Sequence, residues 1–318
     1  ELHILRWSPK INVLKPIAFI FNIFTVGLYL IYLRWFCKFD LVHCHWTGDV
    51  TSFLVALIWR QKQIQNPWGT DLLILPNRSF FHKLLLRATY SLTSKFMTDA
   101  KHVKEKLIKM SIDPSSVSII YFGTDINYFT PGKTDIKKKY GLDENTKIIY
   151  SNRSLYPVYD IETIVRSAKI LPNYTFVISG GGPLEDELNQ LTLKLSLTNV
   201  IFVGRIPFED LRDFLRECDV YVSASKSDAG LAASIAEAMS CGAPVVCSDF
   251  GDNVEWVEKT CSGLVFEIGN EDQLAEKISL VTDSPEKYKG GRAKIENDNN
   301  SNIEMLKATE IYRKIIKA

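Results

Sequence analysis

Short apolar runs alternate with stretches of helical periodicity along most of this chain, the pattern of parallel α/β architecture, in which each strand is followed by a helix that covers the sheet. From Lys147 onward the rhythm is regular: strand "KIIYS", a helix from Ile161, strand "TFVIS", a helix from Leu184, strand "NVIFVG" and a helix from Phe208. It continues with strand "DVYVS", a helix from Leu231, strand "APVVCS", a helix near 253–258, strand "GLVF" and a helix over 271–281. This half predicts a complete doubly wound domain. In the first part, strands are predicted at 3–5, 41–44, 95–97 and 117–121, with helices near 16–37, 51–60, 80–92 and 101–110. The polar segment "NYFTPGKTDIKKKYGLDENT" reads as a linker, and "ENDNNSN" as a loop before a last helix at 303–316. Two domains follow, 1–132 with 303–318 packing back on it, and 133–302.

One apolar run needs its own account. "IAFIFNIFTVGLYLIYL", 17–33, is interrupted only by Asn22 and Thr25 and is flanked by Lys10, Lys15, Arg34 and Lys38. Its length is at the lower limit for a membrane-spanning helix. A helix lying on a membrane surface and a helix buried in the first domain also fit the pattern. No signal-peptide cleavage pattern follows it.

Composition narrows the field. A length of 318 residues suits two domains, and 38 basic against 37 acidic residues leave a formal charge of +1, so the whole-chain field does not favour nucleic acid and any anion must be bound locally. The six cysteines contain no C-x-x-C pair and sit mostly in apolar runs, which predicts reduced core thiols and a cytoplasmic chain.

The chemistry is expected where strands of the second half lead into helices. In "SDAGLAASIAEAMSCGAPVV" the only residue with a charge beyond the opening Asp228 is Glu237, set among small and apolar residues rather than on a solvated face. A carboxylate so placed needs strong donors. The loop "SASKSDAG" opens this helix, so backbone N–H groups near Gly230 and Leu231 offer a site for a diphosphate at its positive end. Arg153, in "YSNRSLYP" after the first strand of this half, would add a fixed cation or else make an ion pair. The glycines of "VISGGGP", Gly181 and Gly182 among them, would let a phosphate or ribose approach, or would simply make a tight turn.

These stretches, with "NVIFVGRIPFEDLRDFLRECDVYVSAS" and "SGLVFEIGNEDQLAEKI", resemble the donor domain of the retaining, nucleotide-sugar-dependent glycosyltransferases of the GT-B fold, family 4. The first half is similar more loosely, through "FDLVHCHW", "WGTDLL" and "IIYFGTDINYFTP". The resemblance implies two Rossmann-like doubly wound domains facing a cleft. It also implies a UDP- or GDP-sugar as donor, a glycan or lipid-linked acceptor, no cofactor and no required metal. Glu237 would bind the ribose hydroxyls; Arg153, Gly181, Gly182, Arg205, Gly230 and Leu231 would surround the donor; Arg153 and Asp228 are the catalytic candidates. His45, Trp68 and Asp71 fall on the acceptor side.

The chain also departs from the family pattern. Val158 stands where a second diphosphate-binding cation is usual, Ala229 where an acid near the sugar is usual, with Asp228 one residue earlier, and Trp68 where many relatives have a histidine. The family's opening strand and glycine-rich loop have no counterpart before Glu1, which predicts an incomplete first domain. The expected activity is transfer of a sugar with retention, at the cytoplasm or the inner face of the membrane. An epimerase or phosphorylase of the same fold, or a catalytically impaired scaffold, are the competing readings.

Overall fold

A computed structural model describes residues 15–37, 39–228 and 230–317; the strand predicted at 3–5 and Ala229 lie outside them. The chain forms two compact units, Glu1–Ile120 with Leu306–Ala318, and Tyr121–Met305. The boundary falls earlier than the split expected after Gly132. Tyr121, Ile126, Tyr128 and Phe129 pack in the core of the second unit, and the Thr124 N–H donates to the Asn299 carbonyl at 2.7 Å.

In the first unit, strands β1 (Val42–His45), β2 (Gln63–Asn66), β3 (Lys95–Thr98) and β4 (Val117–Ile119) form a parallel sheet in the order β1-β2-β3-β4. β2 was not predicted. Its sequence "QIQN" has no apolar alternation, yet all four residues are buried. Polar side chains are tolerated there because they are bonded: Gln65 Nε2 donates to Gln63 Oε1 at 3.0 Å, and Gln63 Nε2 to the Leu92 carbonyl at 3.3 Å.

The apolar N-terminal segment forms a helix, Lys15–Tyr32, extended by a wider turn at Leu33–Cys37. It packs against the helix Val50–Trp59, where Gly27 lies close to Leu54. The expectation of a buried helix fails, because only 6% of the Ile20–Cys37 stretch is buried. The last helix, Ser301–Lys317, joins the first unit from Leu306, and Ala308 and Ile315 pack with Ile64 and Met97.

The second unit holds β5 (Ile148–Ser151), β6 (Thr175–Ser179), β7 (Val200–Gly204), β8 (Val220–Ser223), β9 (Val245–Ser248) and β10 (Gly263–Phe266), all parallel, in the order β10-β9-β8-β5-β6-β7. Period-two alternation sends Ile148, Tyr150, Tyr221 and Val245 to one face and Ile149, Phe176, Val220 and Val246 to the other, so both faces are apolar and both are covered. The loop expected over "ENDNNSN" shrinks to Asn299 and Asn300, because a helix, Gly291–Asp298, takes its first three residues and the last helix begins at Ser301. Arg292 fastens the Gly291–Asp298 helix, donating to the carbonyls of Phe129 at 2.6 Å, Ser240 at 2.9 Å and Ile126 at 3.0 Å. Three of the six cysteines, Cys218, Cys241 and Cys247, are buried, whereas Cys37 and Cys261 are exposed.

Candidate functional site

The six-stranded sheet reverses its winding between β5 and β8, and ligands of such sheets bind beyond the strand ends at that point. The loop after β5 carries Arg153 and the loop after β8 carries Asp228, so topology brings the two together. Arg153 Nη2 donates to Asp228 Oδ1 at 2.6 Å and Nη1 to Ser234 Oγ at 3.1 Å, while the guanidinium lies 4.2 Å from the centroid of the Tyr159 ring. The Arg153 Nε is buried with no hydrogen-bond partner among the described residues. An unmet buried donor costs about 1–3 kcal/mol, so the cation keeps capacity for a ligand. Burial raises the Asp228 carboxyl above its usual range, and the Arg153 charge opposes that rise.

The helix Ala233–Cys241 begins beside this pair. Ala232 caps it with extended backbone (ψ 137), which is why the helix starts later than the expected Leu231. Its first turn holds no acid and its cap donates no side-chain acceptor, so the positive end stays unneutralised by its own residues. Gly230 is buried and Leu231 half-buried just before it. One turn into the helix, Glu237 is half-buried, and among the described residues it has no hydrogen bond or ion pair. Burial pushes its carboxyl up to about 7, against the pull of Arg153.

The glycine loop makes the tight turn that was one of its two expected parts. A Cβ on Gly182 would sit 2.4 Å from the Leu155 carbonyl oxygen, and Gly180 has φ +125 with its Cβ position 3.1 Å from the Arg153 carbonyl. The Leu155 N–H donates to the Gly181 carbonyl at 3.2 Å and the Leu184 N–H to the Leu155 carbonyl at 3.1 Å. These glycines therefore let the loop lie against the backbone that carries Arg153. The helix that follows opens with Glu185, Asp186 and Glu187, whose charges disfavour a diphosphate at that end. Arg205 is exposed and lies against Gly181.

Two residues here were missed from sequence. Tyr159 stacks on Arg153, and Lys226 donates its backbone N–H to the Val158 carbonyl at 2.8 Å with its Nζ 2.9 Å from Asp160 Oδ1. A cation thus stands beside the position where Val158 lacks one. The signal was available: Lys226 shares the loop of Asp228, and the winding order sets that loop against the loop after β5.

In the first unit, His45 ends β1 exposed, with its ring 6.0 Å from that of Trp68 and 4.1 Å from that of His43. His43 is packed: its Nδ1 meets the Tyr312 hydroxyl at 2.7 Å, and burial lowers it to about 4. Asp71 is buried and accepts from the Thr47 N–H at 2.8 Å and the Trp68 N–H at 2.9 Å, so it shapes the loops that bear Trp68. Among the described residues no group of three His, Cys, Asp or Glu side chains is arranged to hold a metal ion.

Known proteins resemble this chain in sequence and in fold. The profile "Glycosyl transferases group 1" matches residues 132–297. The GDP-mannose-dependent monoacylated alpha-(1-6)-phosphatidylinositol monomannoside mannosyltransferase of Corynebacterium glutamicum is 28% identical over 51% of this chain, which spans about half of that relative's length (46%). The UDP-Gal:alpha-D-GlcNAc-diphosphoundecaprenol alpha-1,3-galactosyltransferase of Escherichia coli is 28% identical over 77% of this chain and 67% of its own. Among solved structures, Anabaena HepE in complex with UDP and glucose superposes with a TM-score of 0.79 at 20% identity, over 96% of this chain and 83% of that one. That likeness shows the fold alone, which is GT-B.

Proposed function

This chain belongs to the glycosyl transferases of group 1, and we propose that it transfers a sugar from a nucleoside diphosphate sugar to a glycan or lipid-linked acceptor with retention at the anomeric carbon. The observation that carries the reading is the juxtaposition of the Arg153 guanidinium, the uncapped start of the Ala233–Cys241 helix and the lone Glu237 carboxyl at the winding reversal of the sheet. Each suits one part of a donor. Glu237 accepts from the ribose hydroxyls. Arg153 and the helix N–H groups meet the diphosphate, where negative charge grows as the bond from the anomeric carbon to the phosphate oxygen breaks. The acceptor hydroxyl supplies the new bond to that carbon on the same face of the sugar, and its proton passes to the departing diphosphate oxygen as the bond forms.

Asp228 holds Arg153 through its carboxylate, and in this reading it is the acid that would stand beside the transferred sugar. The acceptor side is assigned to the first unit, on His45 and Trp68. The relatives' names pair UDP- and GDP-linked donors with lipid acceptors, which supports both halves of the proposal. Calorimetric titration of UDP and GDP, followed by product analysis with the sugar nucleotide that binds, tests it. Sugar transferred to an acceptor is expected; free sugar, sugar 1-phosphate or an epimerised nucleotide sugar as the product overturns it in favour of another reaction on the same fold.

A further inference from the structure

The donor chemistry makes no use of a large apolar surface on the first unit. Ile20, Phe24, Leu28, Ile31 and Trp35 recur at helical spacing along the N-terminal helix and its last turn, and they are 67%, 63%, 52%, 47% and 74% exposed. Such a stripe in water carries an unfavourable free energy that a partner would remove. The same layer continues. The helix Val50–Trp59 packs on the N-terminal helix and also on the helix Phe80–Ser91, whose Phe80 and Leu84 are exposed beside exposed Lys83 and Arg87.

Charge identifies the partner. Residues 15–91 contain eight basic and three acidic side chains. Two of the three acids are engaged: Asp71 is buried, and Asp49 accepts from the Ser52 N–H at 2.8 Å as a helix cap. Arg34, Lys83 and Arg87 are exposed among the apolar residues. Exposed cations in the same helical layer as an apolar, aromatic-ended stripe are complementary to an anionic headgroup layer over acyl chains.

We propose that the first unit docks on an anionic lipid bilayer through this helical layer, with the N-terminal helix lying in the plane of the interface. Its exposed stripe enters the headgroup and acyl boundary, and Arg34, Lys83 and Arg87 lie among the lipid phosphates. The in-plane orientation follows from packing: one side of the helix is held against Val50–Trp59, which a helix crossing the bilayer alone would not retain. This inference does not depend on the donor reading, because its residues and its assay are separate.

Co-sedimentation of the chain with vesicles of phosphatidylcholine, with and without phosphatidylglycerol, tests it. Binding is expected only with the anionic lipid, falling about tenfold or more as salt rises from roughly 0.1 to 0.5 M. Lys83→Glu with Arg87→Glu, both exposed, should weaken it about tenfold or more with an unchanged melting temperature, and Phe24→Ser with Trp35→Ser should weaken it comparably. Equal recovery in the supernatant with and without vesicles overturns the proposal. So does binding that is indifferent to lipid charge and resists salt and alkaline carbonate, the behaviour of a spanning helix. The salt dependence is read on the unaltered chain, so it decides even where a variant folds poorly.

Discussion

The first unit carries 19 basic residues against 8 acidic ones and the second 19 against 29, so a chain of formal charge +1 consists of parts at +11 and −10. The difference teaches what each part must do with an anion. The second unit repels anions at long range, so a nucleoside diphosphate can be held there only by short-range, partly desolvated groups such as Arg153 and a helix terminus. The first unit has a positive sum that favours anions at long range, and its cavity of about 400 Å³ is itself lined by Lys83, Arg87, Lys106 and Lys109. The neutral total hides both facts.

The sharpest way to break this comparison is to remove the local cation. Arg153→Ala should lower turnover by about a hundredfold to a thousandfold, the usual scale for deleting a preorganised group that meets transition-state charge. The measurement is kcat with the donor found by titration. A turnover within tenfold of wild type would move the chemistry away from this crevice.

Glu237→Gln comes next. Loss of a charged acceptor should weaken nucleoside diphosphate binding roughly tenfold to a hundredfold. The structure adds a sign for stability. Glu237 has no ion pair among the described residues and its carboxyl is pushed up to about 7, so neutralising it should leave the melting temperature unchanged or raised near neutral pH. A clear loss of melting temperature with wild-type affinity would assign Glu237 to the fold rather than the donor.

The same group sets a pH dependence. Its folded value is raised from 4.5 to about 7, so its contribution to folding is complete below about 4.5 and is lost as pH rises through about 7. Binding runs the other way, because ribose hydroxyls donate to the ionised form. Affinity for the nucleoside diphosphate should therefore be about tenfold weaker at pH 6 than at pH 8. Titrations across that range should show the slope in wild type and none in Glu237→Gln.

Legibility divides along the same line as charge. In the second unit, sequence reading found all six strands, because each is an apolar run and the four central ones are buried on both faces, and it found Glu237 because an isolated acid contrasts with alanines. It offered an ion pair for Arg153 and a tight turn for the glycines as alternatives, but not the partners, Asp228 and the Arg153 and Leu155 carbonyls, which depend on winding order and loop packing. In the first unit it placed the N-terminal helix but not its exposure. Apolar content along one helix does not say which side is covered. It also passed over β2, where burial is carried by glutamines.

That strand gives the smallest expected effect and the finest test of the contrast. Gln63 and Gln65 are fully buried, and each is satisfied partly by the other. Replacing Gln63 alone by leucine removes one of the two acceptors of Gln65 Nε2, which keeps the Ser52 carbonyl at 3.4 Å, and leaves the Leu92 carbonyl without its Gln63 donor, while Gln65 Oε1 already lacks a partner among the described residues. A second unmet buried polar group should then cost about 1–3 kcal/mol. Replacing both by leucine removes the whole polar pair from a dry strand, leaving the Leu92 and Ser52 carbonyls as the groups that lose a donor, so the double variant should be less destabilised than the sum of the two single variants. Urea unfolding of the two single variants and the double variant measures the coupling. Additive losses would mean that the two glutamines act independently and that β2 is polar for a reason outside their mutual bond.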